Sequence, residues 1–273
     1  MVIDRDRRHW PDPEATSHDG AGGIDGLCPD WPAPERIHAV TTLRCGGVSE
    51  APYQSLNLGD HVGDKLASVS ANRARLQRAM QLPSAPCWLS QIHGTTLVDA
   101  AQFGQVSATS NHQTVTADGS FASQAGIVCA VLTADCLPLL FCDRQGSRVA
   151  AVHAGWRGLA AGIVEGMVQT LNVPVTELLV WLGPAIGPGV FAVGPEVRAA
   201  FIKHHDLAQQ AFVPIDKGHY LADLYLLARL RLQRIGIEAV YGGRWCTYSQ
   251  AEDFYSFRRD GVTGRQASLI WIS

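Results

Sequence analysis

"GIVCAVLTADCLPLLFCDRQGSRVAAVHAGWRG", residues 126–158, contains three apolar runs, GIVCAVL, PLLFCD and RVAAVHA. Their length and composition predict three successive strands, apolar enough to lie inside a sheet covered on both faces. The DRQG turn predicts a hairpin between the second and third. Asp135, Cys136 and His153 break the apolar pattern, and AGWRG carries the chain from a strand end towards a helix. A buried strand needs no acid beside a thiol. Either these polar groups are satisfied within a core, or the core has been opened here to make a site.

Outward from this stretch, RIHAVTT, CWLSQIHG, TTLVDA, ELLVWLG, EAVYGG and ASLIWI read as further strands. SVSANRARLQRAMQL, GLAAGIVEGMVQTL, GPEVRAAFIKHH and LADLYLLARLRLQRIG carry apolar residues at helical spacing, and Gly236 stops the last of them. Helices mixed with runs of adjacent strands predict an α/β fold with a mixed sheet in a single domain, rather than a doubly wound sheet. No Gly-x-Gly-x-x-Gly fingerprint or P-loop signature is present, which argues against a dinucleotide or ATP cradle. Residues 1–34, rich in Asp, Pro and Gly without periodicity, are expected to be a poorly ordered extension before a domain over 35–273.

Of the 273 residues, 47 % are hydrophobic and 17 % charged, and the formal net charge is −3. That balance supports a large core and opposes a general nucleic-acid binder, while leaving room for a local cationic pocket. The most apolar stretch, residues 126–142, includes Asp135 and Pro138 and falls short of the roughly 20 residues of a bilayer crossing. The N-terminal residues lack the apolar run of a secretory signal. Seven cysteines with no Cys-x-x-Cys pair fit a reducing cytoplasm better than a disulfide framework.

Three residues draw attention as chemistry. His93 in QIHG, Cys136 and His153 offer two imidazoles and a thiolate, a donor set suited to zinc or copper. Three protein ligands leave one tetrahedral position open, as in catalytic zinc sites. Cys246 in RWCTYS is the one attractive fourth ligand if the metal is structural, and Asp135 is a candidate to orient a ligand histidine. Cys129 and Cys142, on apolar runs, read as packing residues. Arg44, Arg73, Arg258, Arg259 and Arg265 form a cationic set able to hold phosphate, and Arg157 would reinforce the N–H groups of a helix start. Asn57 is a turn residue by type and a candidate substrate contact. His61, His112, His204, His205 and His219 have no such partners.

The strings RCGGVSEAPYQSLNLGDHVGD, QIHG, ADGSFASQAGIVCAVLTADCLPLLFCD, AVHAGWRGLAAGIVEG, WLGPAIGPGVFAVGPEV, WCTY and FRRDGVTGRQASLIWI occur in that order. Together they resemble the YfiH-type purine nucleoside phosphorylases, also called laccase-domain or polyphenol oxidase proteins. The resemblance implies a single α/β domain similar to the catalytic domain of cytotoxic necrotizing factor. It implies a metal pocket, usually zinc, on His93, Cys136 and His153. It also implies phosphorolysis of adenosine, inosine, guanosine and methylthioadenosine, together with adenosine deaminase activity. Purine nucleosides and phosphate are then the expected partners, phosphate falling to Arg44 and Arg258, with no nucleic acid, membrane or protein partner inferred. Where the family usually has FEV this chain has FAV, so Ala192 replaces a carboxylate. Rival readings use the same residues. A metal-free hydrolase would take Cys136 as nucleophile and His153 as base, acting as an amidase or deamidase, with peptidoglycan-precursor editing as one setting. Copper-dependent phenol oxidation would require histidine clusters the sequence lacks, and a scaffold protein would hold its metal structurally.

Overall fold

A computed structural model of the chain describes residues 6–13, 22–103 and 115–273. Two sheets stack face to face. The first contains β1 (Arg7–Pro11), β2 (Gly23–Leu27) and β3 (Ile37–Thr42). The second begins with β4 (Leu97–Asp99) and β5 (Gly119–Ala122). The chain returns to the first sheet for β6 (Val128–Thr133), then crosses to the second for β7 (Leu137–Asp143), β8 (Val149–Ala154), β9 (Leu178–Leu182) and β10 (Val240–Gly242). It ends with β11 (Gln266–Ile272) in the first sheet. The strand orders are β1-β2-β3-β11-β6 and β10-β9-β7-β8-β5-β4. The first sheet is antiparallel throughout, and the second is parallel only at its two outer pairs, β10 with β9 and β4 with β5.

The mixed α/β architecture agrees with the sequence reading, but the three apolar runs of residues 126–158 do not share one sheet. β7 and β8 form the expected hairpin, whereas β6 lies in the other sheet beside β11. Side-chain alternation explains why these runs are apolar on both faces. Cys129 and Val131 of β6 face Leu140 and Cys142 of β7 between the sheets. Val128, Ala130 and Leu132 turn outward to helix α1 (Leu66–Ala79), meeting Leu76 and Ala79. Leu139 and Phe141 turn outward on the opposite side. There they meet α3 (Ile163–Leu171) and α4 (Leu224–Arg234), through Met167 and Leu227 among others. Four layers, helix–sheet–sheet–helix, thus cover both faces of both sheets.

Two expectations need correction. The helix expected over GLAAGIVEGMVQTL is broken: α2 (Trp156–Ala161) stops at Gly162, whose left-handed φ of 98° turns the chain into α3. The extension expected to be loose over residues 1–34 instead supplies β1 and β2, within its described part. Ile24 and Leu27 are buried in the sheet, and Trp10 packs on the core beneath α1. Buried Asp12 takes hydrogen bonds from Arg75 (3.2 Å) and Arg78 (3.3 Å) of α1. Residues 1–5 and 14–21 of that extension, and His112, lie outside the described residues. A few well-placed apolar residues, too sparse to show periodicity, are enough to add edge strands to a sheet that already exists.

Leu140 is fully buried between the sheets, opposite Trp181 and Ala151. Leu140→Ala is expected to destabilise the fold by about 2–5 kcal/mol in equilibrium urea unfolding, because the flanking strands limit collapse around the void.

Candidate metal centre

The second sheet brings three functional side chains to one of its ends. β7 and β8 are antiparallel, with His153 opposite Pro138, so β7 starts where β8 finishes. β5 is also antiparallel to β8, so Asp118, which immediately precedes β5, reaches the same end. The His153 N–H donates to the Asp118 carbonyl at 2.7 Å, extending the ladder by one bond. Cys136, just before β7, and His153, at the end of β8, thereby become neighbours. His93 arrives from a loop that follows a short strand, Leu89–Ser90.

Asp118, fully buried, was not among the candidates read from sequence, and it ties the site together. One oxygen accepts from His153 Nδ1 (2.9 Å) and from the His93 N–H (2.8 Å). The other accepts from the Gly94 N–H (2.6 Å) and the Ile92 N–H (3.4 Å). These bonds secure His93 in the left-handed region, at φ 61°, which costs a residue other than glycine some strain. They also commit Nδ1 of His153, leaving its Nε2 for a ligand. Burial pushes the Asp118 carboxyl up, but the hydrogen bonds from His153 and the backbone outweigh it and hold the group below the ordinary aspartate value.

The donor atoms of His93, Cys136 and His153 all lie within 4.8 Å of one another. Cys136 Sγ is 3.7 Å from His93 Nε2, and the two imidazoles meet edge to face with centroids 4.8 Å apart. Gly155 makes this packing possible: a Cβ there would lie 2.7 Å from His93 Cδ2 and 3.2 Å from Cys136 Sγ. At Gly158 a Cβ would lie 2.7 Å from the Gly94 carbonyl. The two glycines of AGWRG serve close approach of the His93 loop. Arg157, exposed, stacks on the Trp156 ring at 4.4 Å.

Burial acts to raise the Cys136 thiol pKa, but His153 and His93 beside it prevail and bring it down to about 6. Burial likewise disfavours the charged form of His153, but the neighbouring thiolate and Asp118 raise it to about 9. Apolar burial has the opposite result at Cys142, pushed up to about 12, and at Cys129, pushed higher still. The packing role read for those two agrees with this. A poised thiolate, a half-committed imidazole and a second imidazole can together hold a zinc- or copper-type ion. His153 is buried, Cys136 half-buried and His93 exposed, so the group is open on one side.

The remaining candidates stand as follows in the fold. Asp135, at φ 94°, accepts from Thr247 Oγ1 (2.7 Å) and the Arg258 N–H (2.6 Å), so it braces the crossover before Cys136 and does not orient a histidine. Cys246 stands apart from the donor group, with Sγ against Ser249 Oγ and the Gly187 N–H, both at 3.3 Å. Arg44 donates to the carbonyls of Gln54 and Ala251 and covers the Tyr255 ring. Arg73 pairs with Asp60, and Arg259 with Asp260 and three carbonyls. Arg258 donates to the Ala192 carbonyl at 2.8 Å, a contact independent of the side chain at 192. Asn57 is fully buried and bonds Gly59, Asp64 and the Arg265 N–H. A lone Asp before a strand carries no signal that distinguishes Asp118; its role follows from the β5–β8 register.

Residues 38–273 match the family described as multi-copper polyphenol oxidoreductase laccase. The chain is 53 % identical over 247 residues to purine nucleoside phosphorylase PA4543 of Pseudomonas aeruginosa, covering 90 % of this chain and 98 % of the relative. It is 49 % identical to purine nucleoside phosphorylase YfiH of Escherichia coli K12, with the same coverage of each, 90 % and 98 %. The crystal structure of Neisseria meningitidis protein NMB0706 superposes with a TM-score of 0.86 at 48 % identity, covering 91 % of this chain and 99 % of that one.

Asp118→Asn is expected to weaken metal binding by about 10- to 100-fold in chelator competition, by releasing the His153 ring from its fixed tautomer. Iodoacetamide is expected to label Cys136 rapidly in metal-stripped protein and slowly once metal is restored, read by peptide mass spectrometry.

Proposed function

This chain belongs to the multi-copper polyphenol oxidoreductase laccase family, and from that membership we propose that it is a metal-dependent purine nucleoside phosphorylase. Adenosine, inosine, guanosine and methylthioadenosine are its proposed substrates, and adenosine deamination a second proposed activity. The observation that carries the reading is the open side of the His93–Cys136–His153 group, in a chain about half identical to proteins named purine nucleoside phosphorylase. Zinc is the proposed metal. The two imidazoles and thiolate suit it, and among the described residues this is the one such group, whereas multicopper oxidation needs several coppers.

When bound, the metal supplies a Lewis acid at the open side of the group. The chain's own residues do the rest. Asp118 holds His153 with Nδ1 protonated and Nε2 turned to the centre, and fixes His93 through its backbone. Asp135 anchors the turn that presents Cys136. In phosphorolysis a phosphate oxygen bonds to C1′ of the ribose as the C1′–N9 bond breaks. The bonding pair leaves with the purine, which takes up a proton, and the products are ribose 1-phosphate and free base.

A second reading draws on one further observation: Cys136, His153 and Asp118 stand in the order of a nucleophile, its base and the carboxylate that orients the base. Without metal, Cys136 would attack a carbonyl carbon as in an amidase or deamidase.

Purified protein is expected to carry about one metal ion per chain and to convert inosine to hypoxanthine only when phosphate is present. Cys136→Ala is expected to lose the metal and at least about 100-fold in turnover, checked by elemental analysis and product chromatography. Full turnover in chelator-stripped protein, with an acyl-thioester trapped on Cys136, would establish the second reading instead.

A further inference from the structure

We propose that Arg265 is the seat of the phosphate co-substrate beside the His93–Cys136–His153 centre, an inference that rests on the phosphorylase reading above. The strand register places it there. Gln266, the first residue of β11, pairs with Thr133, the last of β6. Arg265 therefore enters the first sheet at the end from which the chain departs through Asp135 to Cys136. Its backbone is pinned on both sides: its N–H donates to Asn57 Oδ1 at 2.9 Å, and its carbonyl accepts from the Leu58 N–H at 3.1 Å. This gives buried Asn57 a role at the site at one remove, as the residue that positions Arg265.

The guanidinium group is only partly used. One amino group donates to the carbonyls of Thr263 and Gly264, both at 3.0 Å. Among the described residues no hydrogen-bond partner is present for its Nε or its other amino group, and no carboxylate forms an ion pair with it. Those two nitrogens form the edge of the fork that takes two phosphate oxygens side by side. Arg44 spends three nitrogens on carbonyls, and Arg73, Arg75, Arg231 and Arg259 each face a carboxylate. Arg265 is half-buried, and burial lowers its pKa while the charges of Cys136 and Asp135 oppose the change. Two buried hydroxyls in the same neighbourhood, Thr133 and Thr263, also lack partners. A half-buried cation with a free donor edge is suited to an anion, and the register sets it at the sheet end that leads to Cys136.

The test has two arms. In the first, initial rates of inosine phosphorolysis are measured with metal-loaded wild type, Arg265→Gln and Arg258→Gln. Arg265→Gln is expected to raise the phosphate KM by about 10- to 100-fold, the loss of charge-assisted hydrogen bonds, while the inosine KM stays within about two-fold and metal content is unchanged. A folded, metal-loaded Arg265→Gln with a wild-type phosphate KM, or a larger effect in Arg258→Gln, overturns the assignment. The second arm needs no variant. Wild-type holoprotein is treated with phenylglyoxal with and without inorganic phosphate, and labelled arginines are mapped by mass spectrometry. Phosphate is expected to protect Arg265; no protection at Arg265 overturns the proposal. If wild type shows no phosphate-dependent cleavage, the phosphorylase reading falls, and the labelling arm alone still decides whether Arg265 seats phosphate.

Discussion

The Asp118 carboxylate accepts hydrogen bonds from the His153 ring and from three consecutive backbone N–H groups, those of Ile92, His93 and Gly94. One buried charge thus joins a strand end to a loop. A carboxylate with no exposure is costly unless fully partnered, and here the partners are the parts that must be arranged. The same bonds fix a ring tautomer, hold His93 at positive φ and keep the Asp118 group ionised. Without Asp118, Cys136 and His153 would still be brought together by the β7–β8 register, but the His153 ring and the His93 loop would lose the group that orients them.

The stacking of two sheets explains why a metal-type site can exist in so apolar a region. The chain crosses from β6 to β7 in three residues, and a crossover at a sheet end escapes the ladder that occupies every backbone group inside a strand. Asp135 and Cys136 occupy that crossover. Asp135 is used to brace it, through Thr247 and the Arg258 N–H, which frees Cys136 to face the histidines. Six residues further on, the same sheet encloses Cys142, and its thiol is driven towards the neutral form. Two cysteines six residues apart are thereby set to opposite tasks by what surrounds them.

The arginines divide in a comparable way. Composition shows only that the chain carries them, and each taken alone reads as a surface cation. In the fold most have their charge matched by a carboxylate or their donors consumed by carbonyls, as at Arg44, where the guanidinium fastens two loops. Arg265 differs because its neighbours fill one edge of the fork and leave the other. The buried amide of Asn57, which reads from sequence as a turn residue or a substrate contact, is what places it.

From sequence, the apolar runs and their turn are enough to locate the strands around Cys136 and His153, and residue type marks His93, Cys136 and His153 as candidate donors. The resemblance of ordered motifs reached the family. These are local properties: periodicity, turn chemistry and ligand preference act within a few residues. What tertiary structure alone decided is everything that depends on distant pairing. It put β6 and β7 in different sheets although only three residues separate them, because both faces of each strand are apolar and the pattern does not say which sheet lies on which side. It drew residues 7–11 and 23–27 into the first sheet. Finally, it selected Asp118 over Asp135 as the partner of His153, since that choice is set by the register of β5 on β8, an alignment of backbone hydrogen bonds that leaves no trace in either residue's own neighbourhood.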